Sequence, residues 1–230
     1  MSAAILHEKK NSNVTYSKMA DKIHVLIADD HAIVRQGLRQ ILSETDDLVV
    51  AGEADDGVEA LVLARQQQWD VFLLDISMPN RNGIDTLKQL KREFPRLPVL
   101  MLSMHAEDQY AVRAIQSGAA GYLTKQSAPE QLVTAIRQVA TGKKYISPTL
   151  AEKLAGVVAG GERLPLEKLA DRELEVLRLL AAGKTLTQIA EALNIAVATV
   201  STYRARLLEK LQLGSTAELI RFGLEHGLAE

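Results

Sequence analysis

Several polar side chains of complementary chemistry stand where short apolar runs end. Asp29 and Asp30 follow Ile23–Ala28, Asp75 follows Val71–Leu74, Ser103 follows Val99–Leu102, and Lys125 closes the run that begins Gly121–Leu123. Clustered carboxylates are hard oxygen donors and attract Mg²⁺ (or Mn²⁺) rather than a soft metal. Asp75 has an apolar run behind it and is of the type that serves as nucleophile in acyl-phosphate chemistry. Ser103 can donate to an anionic oxygen. Lys125 can neutralise the charge that builds as a phosphoryl group transfers. Each residue alone reads as a polar loop residue; the set, spread over four strand ends, does not.

For these groups to meet, the apolar runs must be neighbouring strands. The runs, with Leu48–Ala51 as the second, alternate with amphipathic stretches near 32–44, 57–67, 84–93, 107–117 and 129–141. Strand–helix alternation of this kind predicts an α/β fold, a doubly wound parallel sheet of five strands with helices on both faces. In the order 2-1-3-4-5 the first and third strands are neighbours, which converges Asp29, Asp30 and Asp75 at the carboxyl edge where such sheets bind ligands. No G-x-G-x-x-G follows the first run, only Ala28-Asp29-Asp30-His31, which argues against a dinucleotide. Beyond Asp75, Pro79 stiffens the loop, and Gly83 supplies either a positive φ or room for a tight turn. His31 reads as a surface or helix-capping residue, and His24 and His105 as structural. Lys125, serving a charged pocket rather than a core, is expected to be removable without loss of the fold.

The 230 residues carry 27 basic and 29 acidic side chains, a net charge of −2, and 47% apolar residues, enough for a sizeable core. The absence of cysteine excludes disulfides, Cys-ligated metal and a thiol nucleophile. No apolar run is long enough to span a bilayer, and the polar first 21 residues lack the apolar stretch of a secretory leader. A cytoplasmic protein with no membrane partner is the expectation.

Residues 1–21 read as a disordered leader and 22–141 as the α/β domain. Residues 142–165, with Gly156, Gly160, Gly161 and Pro165, read as a linker with little room for a core, carrying a short helix over Thr149–Val158. From 166 to 230 no strand-like run occurs. Helices are expected at 171–182, 186–193, 197–211 and 216–226, too short to stand alone and so packed as a small all-α domain. Residues 187–211 form two of them joined by Asn194-Ile195-Ala196. The second buries Val197, Val200, Leu207, Leu208 and Leu211 and turns Ala198, Thr202, Ala205, Arg206 and Glu209 outward. That is a helix-turn-helix design, in which Thr202 and Arg206 can reach base edges or phosphates and Arg204 can reach a phosphate from the border of the stripe.

The strings Leu26-Ile27-Ala28-Asp29-Asp30-His31 and Leu74-Asp75-Ile76-Ser77-Met78-Pro79, with Gly83, Ser103 and Lys125, resemble the receiver domain of bacterial two-component response regulators. The resemblance implies a flavodoxin-like (CheY-like) fold and phosphorylation of Asp75. It implies a metal held by Asp29, Asp30, Asp75 and the Met78 backbone carbonyl, with Ser103 and Tyr122 as the switch pair. Residues 166–226 resemble the LuxR-type helix-turn-helix of the NarL/FixJ class, through Leu169-Ala170-Asp171-Arg172-Glu173, Gln188-Ile189-Ala190, Ala198-Thr199-Val200 and Leu208-Glu209-Lys210-Leu211. This implies major-groove contacts from the helix that begins at Thr199, with Ser201, Thr202, Arg204, Arg206 and Lys210 on it. It also implies dimer contacts from the last helix, with Leu219, Ile220 and Leu224 as candidates.

Three departures weaken the phosphate contacts. Ser201 stands where the family often has lysine, Tyr203 where it often has histidine, and Thr185-Leu186-Thr187 where Ser-Asn-Lys is usual. The expected function is a transcription regulator. A sensor histidine kinase phosphorylates it, and it then dimerises or frees its helix-turn-helix to bind promoter DNA at an inverted repeat. It is not an enzyme beyond its own phosphorylation and dephosphorylation. The rivals are a phosphorylation-independent regulator and a protein-interaction module, the latter supported by eight basic against nine acidic residues from 166 to 230. A phosphatase-like enzyme using Asp75 lacks a second base and a lid.

Overall fold

A computed structural model describes residues 22–104, 109–158 and 165–228. The expectations for 1–21, His105 and Gly160-Gly161 lie outside the described residues. Five parallel strands, β1 (Ile23–Ala28), β2 (Leu48–Ala54), β3 (Val71–Asp75), β4 (Val99–Ser103) and β5 (Gly121–Thr124), form one sheet in the order β2-β1-β3-β4-β5. Between and after them run α1 (Ala32–Ser43), α2 (Gly57–Gln66), α3 (Gly83–Glu93), α4 (Gln109–Gln116) and α5 (Pro129–Ala140).

Alternate residues of each strand face opposite layers. Leu26, Phe72, Leu74 and Met101 pack with Ala60, Leu87 and Ala111 of α2, α3 and α4. Val25, Ile27, Leu73, Leu100 and Leu102 pack with Leu38, Leu42, Ile136 and Val139 of α1 and α5. Because both faces are covered, every residue of β3 and β4 is buried, which is why they read as unbroken apolar runs.

The second strand runs to Ala54, three residues past the expected Ala51. The pairing with β1 shifts register between Val25 and Leu26, a bulge that interrupts the alternation. Gly52 within it leaves room for Trp69, whose ring would stand 2.5 Å from a Cβ there.

After α5 come α6 (Pro148–Val158), a 3₁₀ turn (Pro165–Lys168), α7 (Asp171–Ala181), α8 (Leu186–Ala192), α9 (Val197–Leu211) and α10 (Thr216–Glu225). Leu174, Leu177, Ile189, Val200, Leu207 and Leu219 form the core of the last four. Gly223 of α10 lies against Ala181 of α7, where a Cβ would come within 2.6 Å. Side-chain oxygens stop the orphan amides at several helix starts: Asp56 for α2, Asn82 for α3, Thr185 for α8 and Ser215 for α10.

The described part of 142–165 is not the free connection that its glycines suggested. The Tyr145 amide donates to Ala120 O at 2.8 Å, extending the edge beside β5. Leu150 of α6 is fully buried with Ile146 and Leu154 beside it, an i, i+4 spacing overlooked among the glycines and prolines.

Candidate functional site

At the carboxyl edge, β1 delivers Asp29 and β3 delivers Asp75, the two side chains essentially fully buried. Lys125, just past β5, reaches both: its Nζ lies 2.6 Å from Asp29 Oδ2 and 2.9 Å from Asp75 Oδ2. The Lys125 amide donates to Ser103 O at 2.7 Å, so β4 fixes where the lysine leaves the sheet. The Lys125 side chain is only 5% exposed. That corrects the expectation that it could be removed cheaply, since its loss would strand two buried carboxylates.

Burial pushes the Asp75 carboxyl up to about 7, and the negative charges of Asp29 and Asp30 add to the effect; Lys125 opposes it without cancelling it. Burial alone would lower the Lys125 ammonium, but the two carboxylates hold it above its ordinary value. Asp29 Oδ2 and Asp75 Oδ2 accept no well-aligned hydrogen bond among the described residues and share one ammonium. Three carboxylates against one lysine leave the pocket short of positive charge. Donor atoms from Asp29, Asp30, His31 and Asp75 all lie within 4.8 Å of one another. This donor set fits a divalent cation.

The loop after Asp75 is held from below. Gly83 N donates to Ile76 O at 2.8 Å, and a Cβ on Gly83 would stand 2.0 Å from Asp75 O. The glycine therefore supplies room rather than a positive φ; the positive φ of this loop belongs to Asn80, at 58°. Met78 and Ser103 are buried, and Tyr122 is fully buried.

The same loop touches the helical domain, which the sequence did not disclose. Asn80 Nδ2 donates to Asp56 Oδ2 at 2.7 Å, and Asn194 Nδ2, from the turn between α8 and α9, donates to Asn80 Oδ1 at 3.1 Å. Asn82, which caps α3, also hydrogen-bonds Glu175 of α7. Asp171, the first residue of α7, accepts from Lys88 Nζ of α3 at 2.6 Å and from Arg113 of α4 at 2.9 Å. Arg113 also donates to Leu166 O. Opposite charges on separate elements were visible in the sequence, but nothing in their spacing paired them.

The expected recognition helix is α9. Ala198, Thr199, Thr202, Ala205, Arg206 and Glu209 are exposed, and Ser201 is half-buried. Val200 and Leu207 are fully buried, and Leu208 and Leu211 partly so. Val197 is 43% exposed because it lies in the first turn, beyond the reach of the core. Thr202 Oγ1 donates back to Ala198 O at 3.0 Å. Arg204 is half-buried, with its Nη1 3.5 Å from Thr216 Oγ1.

Two of the expected contact residues have partners within the domain. Lys210 Nζ lies 2.6 Å from buried Glu173, whose carboxylate also accepts from Ala170 N, so the lysine is committed to the domain's own core. Leu219 is fully buried in that core, whereas Ile220 is half-buried and Leu224 is 55% exposed, because α10 turns only one side to α7. His31 starts α1 but makes no side-chain capping bond; its ring lies against the acids.

An acidic pocket with a bridging lysine, on a sheet of this order and followed by a helix-turn-helix, defines a class: the chain belongs to the response regulators. Residues 25–137 match the response regulator receiver domain, and residues 167–222 match the bacterial regulatory proteins of the luxR family. Response regulator UvrY of Escherichia coli is 36% identical over 208 residues, 90% of this chain and 95% of that protein. Response regulator GacA of Pseudomonas aeruginosa is 37% identical over 210 residues, 90% of this chain and 98% of that one. Among solved structures, RcsB from Salmonella enterica serovar Typhimurium, bound to promoter rprA in the presence of the phosphomimetic BeF₃⁻, superimposes with a TM-score of 0.61. It is 29% identical and covers 88% of this chain and 98% of its own. Among the described residues no helix is long and apolar enough to cross a membrane.

Proposed function

We propose that this protein is a transcription regulator that takes a phosphoryl group from a sensor histidine kinase onto Asp75 and binds promoter DNA through α9. The observation that carries the reading is the Lys125 ammonium, bridging the two buried carboxylates Asp29 and Asp75. Asp75 supplies the attacking oxygen. With its carboxyl at about 7, much of it is protonated near neutrality, and the unprotonated form must be stabilised for attack. Asp29, Asp30, Asp75 and the Met78 carbonyl would hold Mg²⁺, which favours that ionised form and neutralises phosphoryl oxygens. Lys125 lies within reach of an oxygen on Asp75 and can follow the negative charge as it moves to the phosphoryl group. Ser103, one strand over, is the donor for another phosphoryl oxygen, and an inward move of Ser103 gives Tyr122 room to repack.

Asn80 and Asn82, on the loop that follows Asp75, contact the helical domain, which supports a coupling of phosphorylation to domain release. Release of the domain, and pairing of two copies through Ile220 and Leu224, follow as a population shift. One observation favours a refinement: Thr202 and Arg206 are exposed although the domains are docked. Phosphorylation then acts by freeing the domain to pair rather than by uncovering the DNA-reading face. The test is acetyl phosphate labelling with Mg²⁺, read by intact mass and by binding to promoter fragments. The parent should be labelled once, and only with a divalent cation. Stoichiometric labelling of Asp75→Asn would defeat the proposal.

A further inference from the structure

The pocket's fourth donor is a nitrogen. His31 Nδ1 lies 2.8 Å from Asp30 Oδ1 and 3.3 Å from Asp29 Oδ1. Adjacent donors on an octahedral ion with bonds of about 2.1 Å stand roughly 3.0 Å apart, so these separations are those of neighbours on one cation. The ring makes no capping bond for α1 and is 61% exposed, so it contributes little to the core. Its backbone amide donates to Asp29 Oδ1 at 2.9 Å, which pins the histidine beside the acid whatever the ring does.

We propose that His31 is a direct ligand in this pocket, which makes the site selective for first-row ions that accept imidazole over Mg²⁺. The proposal rests on the reading of Asp29, Asp30 and Asp75 as a divalent-cation site. Mg²⁺ prefers an all-oxygen shell and keeps its waters, so it gains little from the ring. Mn²⁺ accepts nitrogen weakly, and Co²⁺ and Ni²⁺ accept it well. With Mg²⁺ the ring stays hydrogen-bonded to Asp30. With Ni²⁺ the ring turns Nδ1 to the ion instead of to Asp30. The cation that occupies the pocket then depends on which ions are abundant, and with it the coordination position left for a phosphoryl oxygen.

The experiment titrates the full-length protein calorimetrically with Mg²⁺ and with Ni²⁺, comparing the parent with His31→Ala, His24→Ala and Asp30→Asn. Pulsed electron paramagnetic resonance of the Mn²⁺-loaded protein reads directly bound nitrogen. His31→Ala should weaken Ni²⁺ at the pocket by about tenfold or more, a loss at least as large as that of an outer-shell partner. It should leave Mg²⁺ within about twofold and abolish the nitrogen coupling, whereas His24→Ala should do none of these. Equal weakening of Ni²⁺ and Mg²⁺, or a nitrogen signal unchanged in His31→Ala, overturns the proposal: the ring would then act only through Asp30. If Asp30→Asn leaves both ions bound as in the parent, the pocket is not the cation site, and the proposal falls with that reading.

Discussion

The acid pocket and the outer face of α9 represent opposite ways of building a functional surface. In the pocket, Asp29, Asp75 and Lys125 are buried and in contact, so each depends on the others for its electrostatic partner. On α9, Thr202 and Arg206 are exposed, and the buried Val200 and Leu207 on the far side only aim them. A buried cluster concentrates effects in single residues, because removing one partner strands another. An exposed face divides its effect among contacts that form only with a ligand. Perturbations of the pocket should therefore change stability and chemistry together, whereas those of α9 should change binding alone.

The largest effect is expected at Lys125. Lys125→Ala leaves two buried carboxylates sharing a pocket with no counter-charge, a loss of about 3–5 kcal/mol in the absence of a divalent cation. Mg²⁺ should return a good part of it. Chemical unfolding in EDTA and in Mg²⁺ measures both. A variant as stable as the parent in EDTA would put the pocket in the same category as α9.

Asp75 follows, with a pH signature. Its folded value near 7 lies above the ordinary carboxylate range, so the folded protein holds that proton more tightly than the unfolded chain. Stability from this group is fully present below about pH 4 and is lost as the pH rises through 7. Without a divalent cation, Asp75→Asn should match the parent near pH 4 and exceed it at pH 8 by about 2–4 kcal/mol. Urea melts at the two pH values decide it; a variant less stable than the parent at pH 8 would contradict the burial argument.

The contact between the domains is intermediate. Asp171 is buried and answers two cations, and Arg113 is 13% exposed. Asp171→Ala should shift the domains toward separation by about 1.5–3 kcal/mol, the range for charge-assisted hydrogen bonds. Lys88→Ala, at a lysine 46% exposed, should shift them by less than 1 kcal/mol. Small-angle scattering and the rate of proteolysis between 155 and 166 report the opening. Equal responses from the two variants would mean that the Arg113 contact adds nothing to the hold on Asp171.

The sequence displayed the pocket because strands covered on both faces read as continuous apolar runs, and a carboxylate that ends such a run stands out. The strand–helix alternation and the helix-turn-helix followed from the same periodicities, whereas the order 2-1-3-4-5 rested on its bringing the acids together. Three things were hidden. The bulge at Ala51 broke the alternation that would have extended β2. Leu150 lay among residues whose glycines and prolines suggested a linker. The pairing of Asp171 with Lys88 and Arg113 spans 83 and 58 residues and depends on how two domains meet. The Lys210 ion pair was hidden for a related reason: helical periodicity puts the lysine near the outward face, but it cannot reveal that Glu173 is buried underneath and needs a cation.

The smallest effects belong to α9, where the structure sharpens what each residue can do. Arg206 is exposed and, on the proposed reading, is the side chain expected to read a base edge. Arg206→Ala should cost about 1–3 kcal/mol on a preferred duplex and less on a scrambled one. Thr202 has committed its proton to Ala198 O, so only its oxygen remains to accept, and Thr202→Ala should fall at the low end of that range. Arg204 is half-buried, with its Nε buried and its Nη1 3.5 Å from Thr216 Oγ1. Arg204→Ala should weaken both duplexes alike and lower the salt slope by about one. Ser201→Lys adds the phosphate contact that the neighbouring helix face lacks, so it should strengthen both duplexes and steepen the salt dependence. Lys210→Met should leave the salt slope unchanged and lower stability instead, because Glu173 loses its partner. Salt titrations of each folded variant on both duplexes separate these outcomes. If Lys210→Met lowers the slope while Arg206→Ala and Ser201→Lys leave it and the specificity unchanged, DNA lies against the border of α9 next to α7. The outward face would then be free for a protein partner.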